Sequence, residues 1–64
     1  MKDYIVDIGG LISGRTIEIE AINTKDALRQ ANEIVDKNKL EKVIQVRDDM
    51  GKFYYNYEFG IIEN

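Results

Sequence analysis

The sequence predicts an α+β fold, in which two β-hairpins form a four-stranded antiparallel sheet and one α-helix packs on one face. Three observations predict this ββαββ order. Apolar and polar residues alternate up to residue 23, apolar residues recur at helical spacing over residues 24–37, and the alternation returns after residue 40. The 64 residues suffice for one sheet layer and one helix, so we expect residues 1–64 to form a single α+β domain.

The first hairpin is predicted from the alternation over residues 4–23. Two turns compete, Gly9-Gly10 and Ser13-Gly14. A two-residue loop at Ser13-Gly14 sets Ile8 opposite Ile19 and keeps the apolar side chains of both strands on one face, as a half-buried hairpin requires. We therefore expect the turn at Ser13-Gly14, with Gly9-Gly10 as a weak or bulged point inside the first strand.

The helix is predicted over residues 24–37. Thr24 is a suitable N-cap, and Asp26 lies in the first turn, where the helix dipole favours an anion. Asn38 is expected to end the helix in a left-handed conformation. One apolar stripe at helical spacing is expected to face the sheet, and it consists of Ala27, Leu28, Ala31, Ile34 and Val35.

The second hairpin is predicted around the loop Asp48–Gly51, because aspartate side chains bond to their own backbone and glycine supplies a positive φ. A four-residue loop places Val46 opposite Phe53. Ile44 then lies opposite Tyr55. Alternation along the last strand predicts an aromatic stripe on the face covered by the helix, made of Phe53, Tyr55, Tyr57 and Phe59.

The predicted core lies between the helix and the inner face of the sheet. Its members are Val6, Ile8, Ile17, Ile19, Leu28, Ala31, Ile34, Val35, Ile44, Val46, Phe53, Tyr55 and Phe59. A core of this size is expected to leave about 3–5 kcal/mol of net stability. The other face keeps the apolar residues Ile5, Leu11, Ile22, Val43 and Tyr54. We expect that face, or a sheet edge, to be covered in a homodimer.

The composition excludes several kinds of chemistry. The chain has no Cys and no His, so it forms no disulfide, lacks the usual ligands of zinc and haem, and lacks the usual base of nucleophilic catalysis. A single-layer fold offers no deep cleft that would raise the pKa of a carboxyl group for acid–base work. The adjacent acids Asp48 and Asp49 suit a turn better than a cation site. We therefore expect no enzyme activity, no catalytic residues, no cofactor and no metal.

The charge balance favours a protein partner. Nine Lys and Arg residues against twelve Asp and Glu residues give a net charge of −3, whereas duplex nucleic acid requires a basic face. The lysines Lys37, Lys39 and Lys42 are expected to oppose the negative end of the helix dipole. The chain has no apolar run long enough to span a membrane, and residues 1–4 lead straight into a strand pattern. We expect a cytoplasmic protein without a membrane partner.

The predicted working surface is the sheet face that the helix leaves open. In the predicted registers its partner-binding candidates are Tyr54, Asn56 and Glu58 of the last strand, Glu18 and Glu20 of the second, and Asp7 of the first. Acidic side chains orient the encounter with a basic partner, and Tyr54 would be the anchor. The equal alternative is a solvated face whose acids only keep a small protein soluble. The same register sets Asp7 opposite Glu20, which is an unfavourable pair of like charges.

The segment Asp48–Tyr57 resembles the aromatic hairpin of small acidic phage proteins that inhibit uracil-DNA glycosylase. It is also similar to the sheet of the arm-binding domain of tyrosine integrases. The first family differs in element order, because its long helix follows the hairpin, and the second is basic. In type, a small acidic chain rich in Tyr is similar to phage and mobile-element proteins that bind and block a host protein. This resemblance implies an inhibitor, and we assign the chain to no family.

The alternative function is nucleic-acid binding through the aromatic hairpin Phe53–Tyr57, because aromatic side chains on a sheet can stack unpaired bases. Such a platform needs a groove of Arg and Lys, whereas the charges predicted to flank this hairpin are Glu58, Glu18 and Glu20. The sequence therefore favours a non-enzymatic, acidic, protein-binding module.

Overall fold

The computed structural model describes residues 1–12 and 14–62. Its elements are β1 (Lys2–Gly9), β2 (Gly14–Ala21), α1 (Thr24–Ile34), a 3₁₀ turn (Lys37–Lys39), β3 (Lys42–Arg47), β4 (Phe53–Asn56) and β5 (Gly60–Ile61). Within these residues the fold is α+β, with one α-helix and a five-stranded antiparallel sheet in the order β2-β1-β3-β4-β5. The predicted class is confirmed, and the predicted four strands are corrected to five by the short β5.

β1 is an interior strand of the sheet, because it pairs with β2 on one side and with β3 on the other. Val6 has Ile17 as its partner in β2 and Val46 as its partner in β3. α1 connects β2 to β3 and contacts both of them. The two predicted hairpins are therefore joined through β1 and β3.

The first hairpin turns earlier than predicted. Gly9 pairs with Gly14, so Gly14 begins β2 and does not lie in the turn, while Ser13 lies outside the described residues. Ile19 consequently pairs with Tyr4, four positions from its predicted partner. The observed register keeps Gly9 and Gly14 at the ends of the ladder, where a residue without a side chain weakens the strand least. Because the shift is even, the predicted inner and outer faces of both strands are unchanged.

Asn23, and not Thr24, is the N-cap of α1. The side-chain oxygen of Asn23 accepts a hydrogen bond from the N–H of Asp26 at 2.8 Å. The carboxylate of Asp26 in turn accepts from the N–H of Ile22 at 3.2 Å, so the first turn satisfies donors on both sides of the cap. The helix therefore begins at the predicted residue with a cap one position earlier.

The helix ends at Ile34, earlier than predicted, and no basic residue lies in its last turn. The left-handed residue is Leu40, with a φ of 55°, and not Asn38. Arg15 of β2 supplies the missing cation, because its guanidinium donates to the carbonyl of Ile34 at 3.3 Å and to the carboxylate of Glu41 at 2.9 Å. A cation there offsets the negative helix end. The three lysines expected to do so lie beyond the helix.

The core forms between α1 and the inner face of β1, β2 and β3. Its buried residues are Tyr4, Val6, Ile8, Ile19, Ala21, Ala27, Ala31, Val43 and Val46, and the residues packed partly against them are Ile17, Leu28, Val35, Tyr54 and Tyr55. The two helical alanines allow α1 to lie close to the sheet. Four residues that were predicted to lie in the core lie outside it and are exposed or half-buried: Ile34, Ile44, Phe53 and Phe59.

An irregularity between β1 and β3 explains the error at Ile44. The register shifts between Asp7 and Ile8, so that Ile8 pairs with Val43 and the ladder passes over Ile44. An extra residue in a strand exchanges its faces, and Val43 and Val46 therefore both lie in the core. Alternation alone had assigned Val43 to the open face.

A second irregularity separates β3 from β4. Val46 pairs with Tyr55, whereas its predicted partner Phe53 pairs with the next residue of β3, and Tyr54 is the extra residue between them. Tyr54 turns to the core side, where its ring meets that of Tyr4 edge to face at a centroid distance of 5.5 Å. The aromatic stripe is therefore broken, and of its four members only Tyr55 packs against the core.

The loop between β3 and β4 confirms the predicted turn chemistry. The carboxylate of Asp48 accepts hydrogen bonds from the N–H groups of Met50 and Lys52, both at 2.9 Å, and Gly51 has a φ of 88°. The hydrogen bond from Lys52 is the largest cause of a pKa of Asp48 below its usual value, and the one from Met50 lowers it further. Partial desolvation opposes both. The N–H of Asp48 also donates to the carbonyl of Lys52 at 2.9 Å. The loop is thus one residue shorter than predicted, which moves the register of β4.

Candidate functional site

The face of the sheet opposite α1 is not covered by any element of residues 1–12 and 14–62. We call it the open face. Two rows of cross-strand neighbours run over β2, β1, β3 and β4: Glu18, Ile5, Arg47 and Phe53 form the first, and Thr16, Asp7, Gln45 and Asn56 form the second. Asp3 and its partner Glu20 extend the open face beyond the first row.

Asp7 is the centre of a hydrogen-bond network on the open face. Its carboxylate accepts from the hydroxyl of Thr16 at 2.8 Å, from the amide of Gln45 at 2.6 Å and from Nε of Arg47 at 3.2 Å. These donors come from the two strands that flank β1, so the network ties three strands together across the irregularity in β3. The predicted contact of Asp7 with Glu20 is wrong, because Thr16 is its partner in β2.

The negative charge of Asp7 is compensated by its immediate neighbours. Burial raises the pKa of Asp7, but hydrogen bonds from Gln45, Thr16 and Arg47, together with the positive charge of Arg47, outweigh burial and lower it overall. The ion pair of Asp7 and Arg47 is partly buried, with exposed side-chain fractions of 22% and 33%. The remaining acids of the open face are Asp3, Glu18 and Glu20, which are exposed and form no ion pair within the described residues.

The open face also carries apolar surface. The side chain of Phe53 is 45% exposed at the end of the first row, and Ile5, two strands away in that row, is half-buried. Ile44 lies over Gly9, where a Cβ atom would come within 3.0 Å of Cγ1 of Ile44. An exposed aromatic ring beside a compensated ion pair, with acids at the β2 side, is therefore the chemistry that this face presents.

Four of the six predicted site residues lie on the open face: Asp7, Glu18, Glu20 and Asn56. The other two do not join them. Glu58 lies in the turn after β4, where its N–H donates to the side-chain oxygen of Asn56 at 2.8 Å. Tyr54 lies on the helix side of the sheet because of the irregularity in β4.

Tyr54 is held by its own neighbours. Its hydroxyl donates to the carboxylate of Asp48 at 3.0 Å and accepts a hydrogen bond from the ammonium of Lys2. That hydrogen bond raises the pKa of Lys2 above its usual value. The ammonium groups of Lys2 and Lys52 lie 4.2 Å and 5.4 Å from the centroid of the Tyr54 ring. The exposed aromatic side chain of the open face is Phe53, which the sequence assigned to the core.

Other parts of the described surface have fewer features that could form a binding site. A shallow cleft of about 280 Å³ lies between the start of α1 and residues 61–62, lined by Asn23, Thr24, Lys25, Ile61 and Ile62. Among residues 1–12 and 14–62, no three His, Cys, Asp or Glu side chains are grouped so that they could hold a metal ion. In the same residues, no helix is both long enough and apolar enough to cross a membrane.

Comparison with known proteins returns no family model, no curated protein and no solved structure that matches this chain. The resemblances of the segment Asp48–Tyr57 therefore stay predictions from the sequence.

Proposed function

We propose that this protein is a non-enzymatic binding module whose open face binds a basic surface of a protein partner. The observation that carries the proposal is the exposed ring of Phe53 on a sheet face whose central cation, Arg47, is already held by Asp7. Lys42, the partner of Gly9, is a further cation at one end of that face, whereas the unpaired charges on its β2 side are the acids Asp3, Glu18 and Glu20. A partner of opposite charge is therefore favoured over a nucleic acid and over a second acidic copy of the same face.

The arrangement has the anatomy of a small interface. Phe53 and Ile5 supply apolar surface on either side of Arg47 in the first row, and aromatic side chains are enriched among the residues that carry binding energy. The acids Glu18 and Glu20 stand at the β2 edge, where they remain solvated and act mainly by steering the encounter. Phe53 thus takes the anchoring role that the sequence had assigned to Tyr54.

Such a module acts as an inhibitor when the basic surface that it covers is the working surface of the partner. A row of carboxylates along one strand can resemble the row of negative charges on a phosphate backbone. Glu18 and Glu20 lie on the same side of β2. This is the host-blocking function that the resemblance to phage and mobile-element proteins implies. The proposal includes no catalytic step.

We propose further that self-association, where it occurs, uses the outer edge of β2. β2 is an edge strand of eight residues, and its outer side has no partner strand in the described part of the chain. Sedimentation equilibrium over a range of concentrations tests this. A monomer at every concentration would contradict edge pairing and leave the open face unaffected.

The experiment for the main proposal is affinity capture from a lysate of the native cell or its host, followed by mass spectrometry. Phe53→Ala, Glu18→Lys and Glu20→Lys are expected to retain the fold by circular dichroism and to lose the protein that the wild type captures. Phe59→Ala and Asp49→Lys are the matched controls, because both side chains are exposed and lie off the open face. The controls are expected to capture like the wild type.

Two outcomes contradict the proposal. Equal capture by Phe53→Ala, Glu18→Lys and the wild type would remove the open face as the binding site. Salt-dependent binding of the wild type to fluorescent single-stranded DNA, weakened by Phe53→Ala, would instead support the alternative of base stacking on the aromatic hairpin.

A further inference from the structure

The end of the sheet beside the first turn gathers exposed apolar side chains. Gly9 pairs with Gly14 in β2 and with Lys42 in β3, so residues 10–12, which follow β1, lie next to the start of β3. Leu11 is 76% exposed and Ile12 is 96% exposed in this turn. Two consecutive aliphatic side chains at the tip of a hairpin contribute nothing to the core.

Further apolar residues lie at the same end. Leu40 is exposed immediately before β3, and Phe59 is exposed in the turn that follows β4. Tyr57 begins that turn, and its N–H donates to the carbonyl of Ile44 at 3.0 Å, which fixes the turn beside β3. We call Leu11, Ile12, Leu40, Tyr57 and Phe59 the apolar end.

Lysines surround the apolar end. Lys37, Lys39 and Lys42 form no ion pair within residues 1–12 and 14–62, and the ammonium of Lys42 lies 4.4 Å from the centroid of the Tyr57 ring. Two of the acids at this end have partners of their own. The carboxylate of Asp36 accepts from the N–H of Asn38 at 2.9 Å, and that of Glu41 pairs with the guanidinium of Arg15 at 2.9 Å. The third, Glu58, is exposed.

We propose that the apolar end docks on an anionic lipid bilayer, with Leu11 and Ile12 inserted below the headgroups and Lys37, Lys39 and Lys42 against them. The sequence predicts no membrane partner because it contains no membrane-spanning run, and peripheral docking needs no such run. A convex tip suits a bilayer, which opens around an inserted side chain, whereas a protein would need a cavity shaped to receive it. Tyrosine with a neighbouring lysine is typical of the membrane–water interface.

The charge distribution gives the docked molecule one orientation. The protein has a net charge of −3, and the acids Asp3, Glu18 and Glu20 of the open face are repelled by anionic headgroups. The three lysines at the apolar end are attracted to the same headgroups. The open face therefore stays in water, and the docking does not depend on the function proposed for it.

The test is flotation of the full chain with vesicles of phosphatidylcholine, with and without phosphatidylserine. We expect binding to the anionic vesicles, weakened by salt. Leu11→Ser combined with Ile12→Ser is expected to lower the affinity about tenfold for each side chain removed. Lys37→Gln combined with Lys39→Gln is expected to lower it about fivefold for each lysine.

Matched controls come from the opposite end of the sheet. Ile22 and Met50 are equally exposed apolar residues there, and Lys25 is an exposed lysine. Ile22→Ser combined with Met50→Ser, and separately Lys25→Gln, are expected to bind anionic vesicles as the wild type does. Equal losses in the controls and in the apolar-end variants would overturn the proposal.

A fluorescent variant measures insertion directly. The chain contains no Trp, so Phe59→Trp introduces a single reporter at the apolar end, and its emission is expected to shift to the blue on anionic vesicles. Binding to neither vesicle, or equal binding to both, would overturn the proposal. So would sedimentation that shows a dimer of the wild type and a monomer of the Leu11→Ser, Ile12→Ser variant without vesicle binding by either, because the apolar end would then be a contact between copies of the chain.

Discussion

The two hairpins of this sheet differ in the regularity of their ladders. β1 and β2 pair without a shift over all eight residues, whereas β3 has an irregularity against each of its neighbours. In the first hairpin the alternation of the sequence is therefore the alternation of the faces. In the second, one extra residue exchanges the two faces of the strand, so alternation assigns the wrong side chains to the core.

The regular hairpin provides the largest expected effect. Ile19 is 5% exposed and pairs with Tyr4 on the inner face. Ile19→Ala is expected to lower the free energy of unfolding by about 2–5 kcal/mol, because it removes buried apolar surface and leaves a cavity. Urea unfolding of both proteins measures the difference. Glu18→Ala, the neighbouring residue on the open face, is the control, and a similar loss in both variants would mean that the faces of β2 are misassigned.

The irregular hairpin gives a sharper comparison between Val43 and Ile44. Val43 is 6% exposed in the core, whereas Ile44 is half-buried on the open face. Val43→Ala is expected to cost about 1.5–3 kcal/mol, and Ile44→Ala about 1 kcal/mol or less, although isoleucine is the larger residue. The same unfolding measurement ranks them. The opposite order would show that β3 follows simple alternation and has no bulge.

The network around Asp7 joins the two hairpins across the irregularity. Because the pKa of Asp7 is lowered in the folded protein, its contribution to stability is present above the unfolded pKa, near pH 4, and is lost as pH falls through the lower folded value. Asp7→Asn is expected to cost about 1–2 kcal/mol at neutral pH, where it weakens charge-assisted hydrogen bonds to Arg47, Gln45 and Thr16.

The pH dependence separates charge from shape in that network. Urea unfolding at neutral pH and in acid is expected to show the wild type and Asp7→Asn converging as Asp7 becomes protonated. A difference between them that persists unchanged in acid would exclude the ion pair with Arg47 as its cause. Asp3→Asn is the control, because Asp3 is exposed on the same strand without an ion pair in the described residues.

The smallest effect is expected in the loop of the irregular hairpin. Gly51 has a φ of 88°, and a Cβ atom there would meet nothing within 4 Å. Gly51→Ala is therefore expected to cost about 1 kcal/mol through backbone strain alone. Thermal unfolding checks it against Asp49→Ala in the same loop, for which no change is expected. A melting temperature of Gly51→Ala equal to that of the control would show that the loop adopts another turn.

Local chemistry was predictable from the sequence wherever it depends on neighbouring residues. The Asp48 turn, the start of the helix, the alanines that face the sheet and the alternation of β1 and β2 all follow from patterns a few residues long. The cap at Asn23 lay one residue from the predicted cap at Thr24. The cation that offsets the helix end could not be found in this way, because Arg15 belongs to a different element.

All predicted site residues lie on the open face where the ladder is regular, whereas in the irregular strand β4 Asn56 was placed correctly and Tyr54 was not. Glu18 and Glu20 lie on the open face as alternation predicts, since β2 contains no bulge. Phe53, and not Tyr54, lies on the open face because the loop is one residue shorter than predicted and because β4 contains an extra residue. Both depend on how β4 aligns with β3, and no pattern within either strand encodes that alignment.

The position of β1, the first strand in sequence and an interior strand of the sheet, has a consequence for how the protein folds. Its pairing with β2 closes a short loop, whereas its contact with β3 through Asp7 and Gln45 joins residues 38 apart. We expect the first hairpin to form early and the docking of β3 to limit the folding rate. A chain emerging from the ribosome therefore carries one open edge of β1 until β3 has emerged as well, and an open edge is a template for aggregation.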